Sequence, residues 1–293
     1  MTKLYSLLDL VGNTPLVEIK HLNKNPKVRI FGKLEGNNPG GSVKDRAAKN
    51  MIQAALERGD IQKGTKLIEA TSGNTGIALA MIARLYGLEI ELAMPTNSTK
   101  ERILTMEAFG AKVTLTETIE SARDYALEKA ATGAFFLLNQ FENPDNYWAH
   151  YKSTGPEIFN DTNGQITHFV SSMGTTGTIM GTSMYLKEQN PDIQIIGCQP
   201  TEGSKIPGIR RWPIEYRPKI YQENRVDRIM DISEEEATST TRDLAKQEGI
   251  FGGMSSGGAV AASLRLANEL EQGLIVCIIC DRGDRYLSSN LFG

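Results

Sequence analysis

The chain has 293 residues, of which 40% are hydrophobic and 23% charged, the make-up of folded globular domains and not of a disordered chain or a disulfide scaffold. Its 32 basic and 35 acidic residues leave a net charge of −3, with no basic surplus for a nucleic-acid backbone, so a small-molecule ligand is the expectation. Apolar runs such as Ile77 to Ala83 and Leu274 to Cys280 fall far short of the roughly 20 residues of a membrane span, and the N-terminal residues do not read as a signal peptide. The 3 cysteines suit a reducing compartment, so the expected location is cytoplasmic, with neither membrane nor nucleic acid as partner.

Short β-rich apolar runs alternate with amphipathic segments, which predicts an α/β fold with parallel strands. A strand over 66–70 is followed by a Gly/Ser/Thr turn and a helix over 77–85. A strand over 90–94, a helix over 100–109 stopped by Gly110, a strand over 112–116, a helix over 121–132 and a strand over 135–138 come next. Beyond a loop at 143–146 the pattern restarts with a helix over 155–159, a strand over 166–171, a Gly/Thr loop and a helix over 179–189. Strands over 194–198 and 274–279 and helices over 234–248 and 259–270 complete the reading. The stretch from Lys205 to Pro218 has neither period and is either a functional loop or a packed connector.

Two familiar patterns lead nowhere. Gly253 to Gly257 matches the G-x-S-x-G nucleophile elbow, but His21, His150 and His168 all precede the serine, the wrong order for that triad. Cys277 and Cys280 have C-x-x-C spacing inside a strand, where residues three apart face opposite ways. No metal site is expected from them.

Three segments are more coherent. Thr71 to Gly76 and Gly174 to Thr178 each lie between a strand and a helix, where backbone N–H groups and the helix dipole favour an anion. In Asn37 to Arg46, Ser42 and Asp45 have capping-box spacing, which puts Lys44 in a first helical turn. The dipole there disfavours an ammonium, and an easily deprotonated amine is what a Schiff base with an aldehyde requires.

These segments, with Ser255 to Gly258, resemble the active-site segments of the fold-type II pyridoxal-phosphate enzymes of the cysteine synthase group, over nearly the whole chain from Val11 to Leu287. The resemblance implies two open twisted-sheet α/β domains of the tryptophan synthase β-like kind, with residues 1–36 and 147–293 forming the larger one. Residues 37–146 would form a smaller mobile domain carrying Lys44 and the substrate carboxylate loop. It implies pyridoxal 5'-phosphate as cofactor, Lys44 as the Schiff-base lysine, Asn74 on the ring oxygen, and Gly174, Thr175, Thr176, Gly177 and Thr178 on the phosphate. Ser255 would face the pyridine nitrogen, and Thr71, Ser72, Thr75 and Gln140 would grip the substrate carboxylate. The segments Ile206 to Pro213 and Ile278 to Gly283 are similar to the thiosulfate-using B type, which brings Arg210 and Cys280 to the substrate side. The implied reaction is β-replacement through α-aminoacrylate: O-acetylserine with sulfide gives cysteine and acetate, and with thiosulfate gives S-sulfocysteine. An A-type cysteine synthase, a cystathionine β-synthase-like enzyme and a serine/threonine dehydratase are the alternatives within the fold. A homodimer is the implied assembly.

Overall fold

The computed structural model describes residues 4–71 and 73–293. The strands are β1 (Leu16–Glu18), β2 (Val28–Leu34), β3 (Lys66–Ala70), β4 (Glu89–Pro95), β5 (Lys112–Thr116), β6 (Phe136–Leu137), β7 (His168–Ser172), β8 (Gln194–Pro200), β9 (Arg228–Ile232) and β10 (Gly273–Ile279). The helices are α1 (Lys44–Arg58), α2 (Asn74–Leu85), α3 (Lys100–Ala108), α4 (Ile119–Ala131), α5 (Pro144–Ala149), α6 (Gly155–Asp161), α7 (Gly177–Gln189), α8 (Glu234–Asp243) and α9 (Met254–Glu269).

The strands build a six-stranded sheet in the order β1-β2-β10-β7-β8-β9 and a four-stranded sheet in the order β5-β4-β3-β6. Among the described strand pairs only β1–β2 is antiparallel. Parallel strands covered on both faces need apolar residues on both, and the alternation along the larger sheet supplies them. Val170, Ile196, Cys277 and Ile279 face a core shared with α8 and α9, while Phe169, Ile195, Val276 and Ile278 face one shared with α6 and α7. Cys277 and Cys280 therefore do look to opposite faces. In the smaller sheet Leu67 and Leu92 meet α1 and α2, and Ile68 and Ala93 meet α4. Each fully buried Leu, Ile or Phe contributes about 1.5–3 kcal/mol.

The α/β reading holds, with corrections at several ends. Helix α9 begins at Met254, five residues before the predicted start, so Ser255 lies inside its first turn. Helix α4 begins at Ile119 because Thr118 caps it: its hydroxyl accepts from Ser121 N at 3.1 Å, and Ser121 Oγ accepts from Thr118 N at 3.0 Å. The supposed loop at 143–146 is the capped first turn of α5, with Asn143 at the N-cap and Pro144 next. The predicted capping box at Ser42 does not form. Ser42 Oγ accepts from Lys44 N at 3.3 Å, whereas Asp45 turns its carboxylate to Gly40 N.

What fixes the start of α1 instead is a buried ion network. Arg46, 1% exposed, donates to Glu35 at 2.7 Å and to Glu157 at 2.6 Å, and Lys33 reaches Glu157 at 3.0 Å and Asp161 at 2.9 Å. Burial pushes the Glu157 carboxyl up, but Arg46 and Lys33 overcome it and hold it at about 2. The helix bearing Lys44 is thus pinned to β2 and α6 of the six-stranded sheet.

Candidate active site

Ligands of open parallel sheets bind beyond the carboxyl ends of the strands, and the candidate residues gather there. The loop after β7 turns through Thr176, whose φ of 70° is left-handed, into α7. Its glycines are needed for space. A Cβ on Gly177 would stand 2.1 Å from Asn146 Oδ1, and one on Gly174 would stand 2.7 Å from Gly208 O. Trp212 Nε1 donates to Gly174 O at 2.7 Å and braces the loop from the Lys205 to Pro218 stretch.

Lys44 Nζ donates to Thr175 Oγ1 at 3.3 Å, which places the amine at the rim of this turn. Burial lowers the pKa of Lys44, with Cys280 acting in the opposite direction. Desolvation therefore favours the unprotonated form of this amine.

The second loop follows β3. Thr71 Oγ1 accepts from Gly73 N at 3.1 Å and from Gly76 N at 3.2 Å, which leaves its own hydrogen free to donate. Thr75 Oγ1 donates to Gln140 Oε1 at 2.8 Å, and Gln140 Nε2 donates to Ala70 O at 3.1 Å. Ser72 lies outside the described residues.

Asn74 Nδ2 donates to Asp281 Oδ2 at 2.7 Å, and the same carboxylate accepts from Tyr286 Oη at 2.6 Å. Arg285 donates to Asn74 Oδ1. Ser255 is buried at the start of α9, close to Cys280, and Gly208, at a φ of +89°, lies over it with room for a Cβ only 3.3 Å from Ser255 Cβ. Burial first, and Asp281 next, push the Cys280 thiol up to about 12, so it stays protonated at neutral pH.

Arg210 is anchored at its backbone, where its N–H donates to Met173 O at 2.8 Å. Its guanidinium makes one hydrogen bond, to Ile209 O at 3.2 Å, and no ion pair among the described residues. Arg211 is already engaged with Asp231 at 2.6 Å and Pro200 O at 2.8 Å.

Sequence reasoning missed Asn146, His150 and Glu69. Asn146 Nδ2 donates to Gln140 O at 2.7 Å and Thr175 Oγ1 at 3.2 Å, tying the two loops together. The Asn143–Pro144 helix start was the signal available for it. Glu69, buried at the end of β3, accepts from Ala70 N at 3.1 Å and Gln140 N at 3.3 Å. Beside it Asn139 adopts a left-handed φ of 53°.

The pyridoxal-phosphate dependent enzyme family pattern matches residues 7–281. The chain belongs to that family. It is 60% identical over 290 residues to cysteine synthase B of Pseudomonas aeruginosa, covering 98% of this chain and 97% of that protein. It is 56% identical to cysteine synthase B of Escherichia coli, covering 98% and 96%. The cysteine synthase structure from Entamoeba histolytica matches with a TM-score of 0.92 at 38% identity, over 99% of this chain and 91% of that one. The O-acetylserine dependent cystathionine beta-synthase of Helicobacter pylori matches with a TM-score of 0.92 at 37% identity, over the full length of both.

The residues fit the family's cofactor. Thr176 Oγ1 is buried without a partner in a turn that only glycines leave open, as a phosphate cradle requires, and a desolvated lysine amine stands at its edge. With the cofactor bound, Gly174 to Thr178 would hold its phosphate and Lys44 would meet its aldehyde. No helix among the described residues is long and apolar enough to cross a membrane.

Proposed function

We propose that the chain catalyses β-replacement on O-acetyl-L-serine, giving L-cysteine and acetate with sulfide, and S-sulfocysteine with thiosulfate. The observation that carries this reading is the Lys44 amine, 3.3 Å from the phosphate-side turn, with Asn146 joining that turn to the Thr75–Gln140 loop. One amine thus serves two anion-binding loops. The cofactor, when bound, supplies an aldehyde and an electron-withdrawing ring that makes the substrate Cα proton acidic.

The chain's own residues do the rest. The Thr71 hydroxyl donates to the substrate carboxylate, joined by Ser72, Thr75 and Gln140 once the Thr75–Gln140 bond is exchanged for substrate. Lys44, its pKa lowered by desolvation, takes the Cα proton as the Cβ–O bond breaks and acetate leaves with the electron pair. Sulfide then adds at Cβ and Lys44 returns the proton to Cα. Asn74, oriented by Asp281 and Arg285, would present its amide to the cofactor's ring oxygen, and the uncharged Ser255 hydroxyl would sit by the ring nitrogen without forcing it to protonate.

For thiosulfate, a dianion, Arg210 is the cation. It has no carboxylate partner among the described residues, and it borders a cavity of about 280 Å³ with Thr201, Ser204 and Ile209. Burial lowers its pKa, with Glu120 opposing, so an anionic ligand is a favourable partner for it.

Residues 37–146 would close as the smaller unit on 1–36 and 147–293, pivoting near the pinned start of α1. Leu4, Tyr5, Leu7 and Leu10 form an exposed apolar row at the N-terminus, which supports a homodimer. Free Cys198, Cys277 and Cys280 suit the reducing cytoplasm. The test of the reaction is product analysis of holoenzyme given O-acetylserine with sulfide, thiosulfate or homocysteine in turn. Cysteine and S-sulfocysteine formation supports the reading, and turnover with homocysteine alone contradicts it.

A further inference from the structure

His150 is 1% exposed and opens a π-helical turn, His150–Thr154, between α5 and α6. Its Nδ1 is 2.8 Å from Thr154 Oγ1, and its Nε2 is 3.3 Å from Thr178 Oγ1, in the first turn of α7. Neither hydroxyl makes another hydrogen bond among the described residues. A neutral imidazole donates from one nitrogen and accepts at the other, so only two arrangements exist.

In the first, Thr154 donates to Nδ1, Nε2–H donates to Thr178 Oγ1, and the Thr178 hydrogen is left over. In the second, Nδ1–H donates to Thr154, and the Thr178 hydrogen is consumed by Nε2. Thr178 would then offer only lone pairs to its surroundings. A phosphate accepts hydrogen bonds and repels lone pairs, so the second arrangement is wrong for a residue of the cradle.

Thr175 Oγ1, in the same turn, receives Asn146 Nδ2 at 3.2 Å and lies 3.3 Å from Lys44 Nζ. Thr176 Oγ1 is buried with no partner among the described residues. Resting on the reading of Gly174 to Thr178 as the phosphate cradle, we propose that His150 is a positioning residue held as the Nε2–H tautomer, which turns the Thr178 hydroxyl hydrogen toward the phosphate. Burial lowers the imidazole pKa well below the usual value, and Arg46 pushes the same way against Glu157, so the ring stays neutral.

The test combines a direct and an energetic measurement on the holoenzyme. Histidine-selective ¹⁵N NMR, with the His150 signal assigned by its absence in His150→Gln, should show Nε2–H with Nδ1 unprotonated, unchanged across neutral pH. Titrations of wild type, His150→Gln and His150→Leu with pyridoxal phosphate and with phosphate-free pyridoxal supply the second arm. We expect His150→Leu to lose about tenfold in affinity for pyridoxal phosphate and none for pyridoxal. His150→Gln, which keeps an N–H at the Nε2 position, should stay within about threefold of wild type. An Nδ1–H or doubly protonated ring would overturn the proposal while leaving the cradle in place, as would equal losses for both ligands. Wild-type protein that binds pyridoxal as tightly as pyridoxal phosphate would overturn the cradle reading and this one with it. If His150→Leu does not fold, the wild-type spectrum alone decides.

Discussion

Lys44 Nζ and Thr175 Oγ1 lie 3.3 Å apart although 131 positions separate them in sequence. The lysine comes from the helix pinned by Arg46, and the threonine from the turn after the central strand β7. Their contact makes the distance between the amine and the 174–178 turn a property of the fold, so small steric changes in the turn are felt at the amine.

Gly177→Ala tests the steric part of this. The added Cβ would fall 2.1 Å from Asn146 Oδ1, so Asn146 must move away from Thr175 and Gln140. Overpacking of this kind costs about 1–3 kcal/mol. We predict roughly tenfold or greater loss of pyridoxal-phosphate affinity in a fluorescence titration, with secondary structure by circular dichroism intact.

Arg210→Ala separates the two sulfur donors. A charge-assisted hydrogen bond is worth about 1.5–3 kcal/mol, so kcat/KM for thiosulfate should fall roughly tenfold to a hundredfold, and that for sulfide far less. Steady-state rates with each donor at fixed O-acetylserine check this. Equal losses would assign Arg210 to folding or closure.

Glu69→Gln reports on the buried acid under the carboxylate loop. Burial raises the Glu69 carboxyl to about 7 against backbone N–H groups and Arg123, so the folded chain holds this proton more tightly than the unfolded one. The contribution is therefore full below the unfolded value near 4.5 and is lost as pH rises through about 7. Urea denaturation at stepped pH should show wild type losing on the order of 1–3 kcal/mol relative to Glu69→Gln across that window.

Arg46→Met should be among the most destabilising single changes, because Glu35, 0% exposed, would keep a buried charge without its partner. Breaking such a pair costs about 3–5 kcal/mol, which for a chain of this size lowers Tm by roughly 6 to 20 °C. Adding Glu35→Gln to Arg46→Met should recover part of the loss in differential scanning fluorimetry.

The parts of the fold that sequence reasoning reached are those with apolar strands flanked by Gly and Thr, such as β3 with α2 and β7 with α7. Strand β2 escaped because its run Val-Arg-Ile-Phe-Gly-Lys-Leu hides a buried cation: Lys33 is 0% exposed and satisfied only by Glu157, Asp161 and Thr14, all distant in sequence. The start of α9 escaped for a packing reason. Met-Ser-Ser-Gly-Gly is a poor helix opening by propensity, yet a Cβ on Gly257 would collide with Thr241 Oγ1 at 2.1 Å, so glycine is required for α9 to approach α8. Lys44, Asn74, the 174–178 turn and Ser255 could be picked out because their loops carry distinctive residues, and the structure brings Lys44 to Thr175 of that turn. Asn146, His150 and Glu69 were not, since their roles consist of hydrogen bonds to partners that only the tertiary structure supplies.

The central claim is that Lys44 is the amine of a pyridoxal-phosphate site that performs β-replacement. The most direct measurement is the visible absorption spectrum of protein reconstituted with pyridoxal phosphate, recorded before and after O-acetylserine and again after sulfide. The account predicts a yellow holoenzyme whose band shifts with O-acetylserine and returns with sulfide as cysteine is released, while Lys44→Ala completes no such cycle. A wild-type protein that shows no cofactor band after reconstitution, or a band that O-acetylserine leaves unchanged, would contradict it.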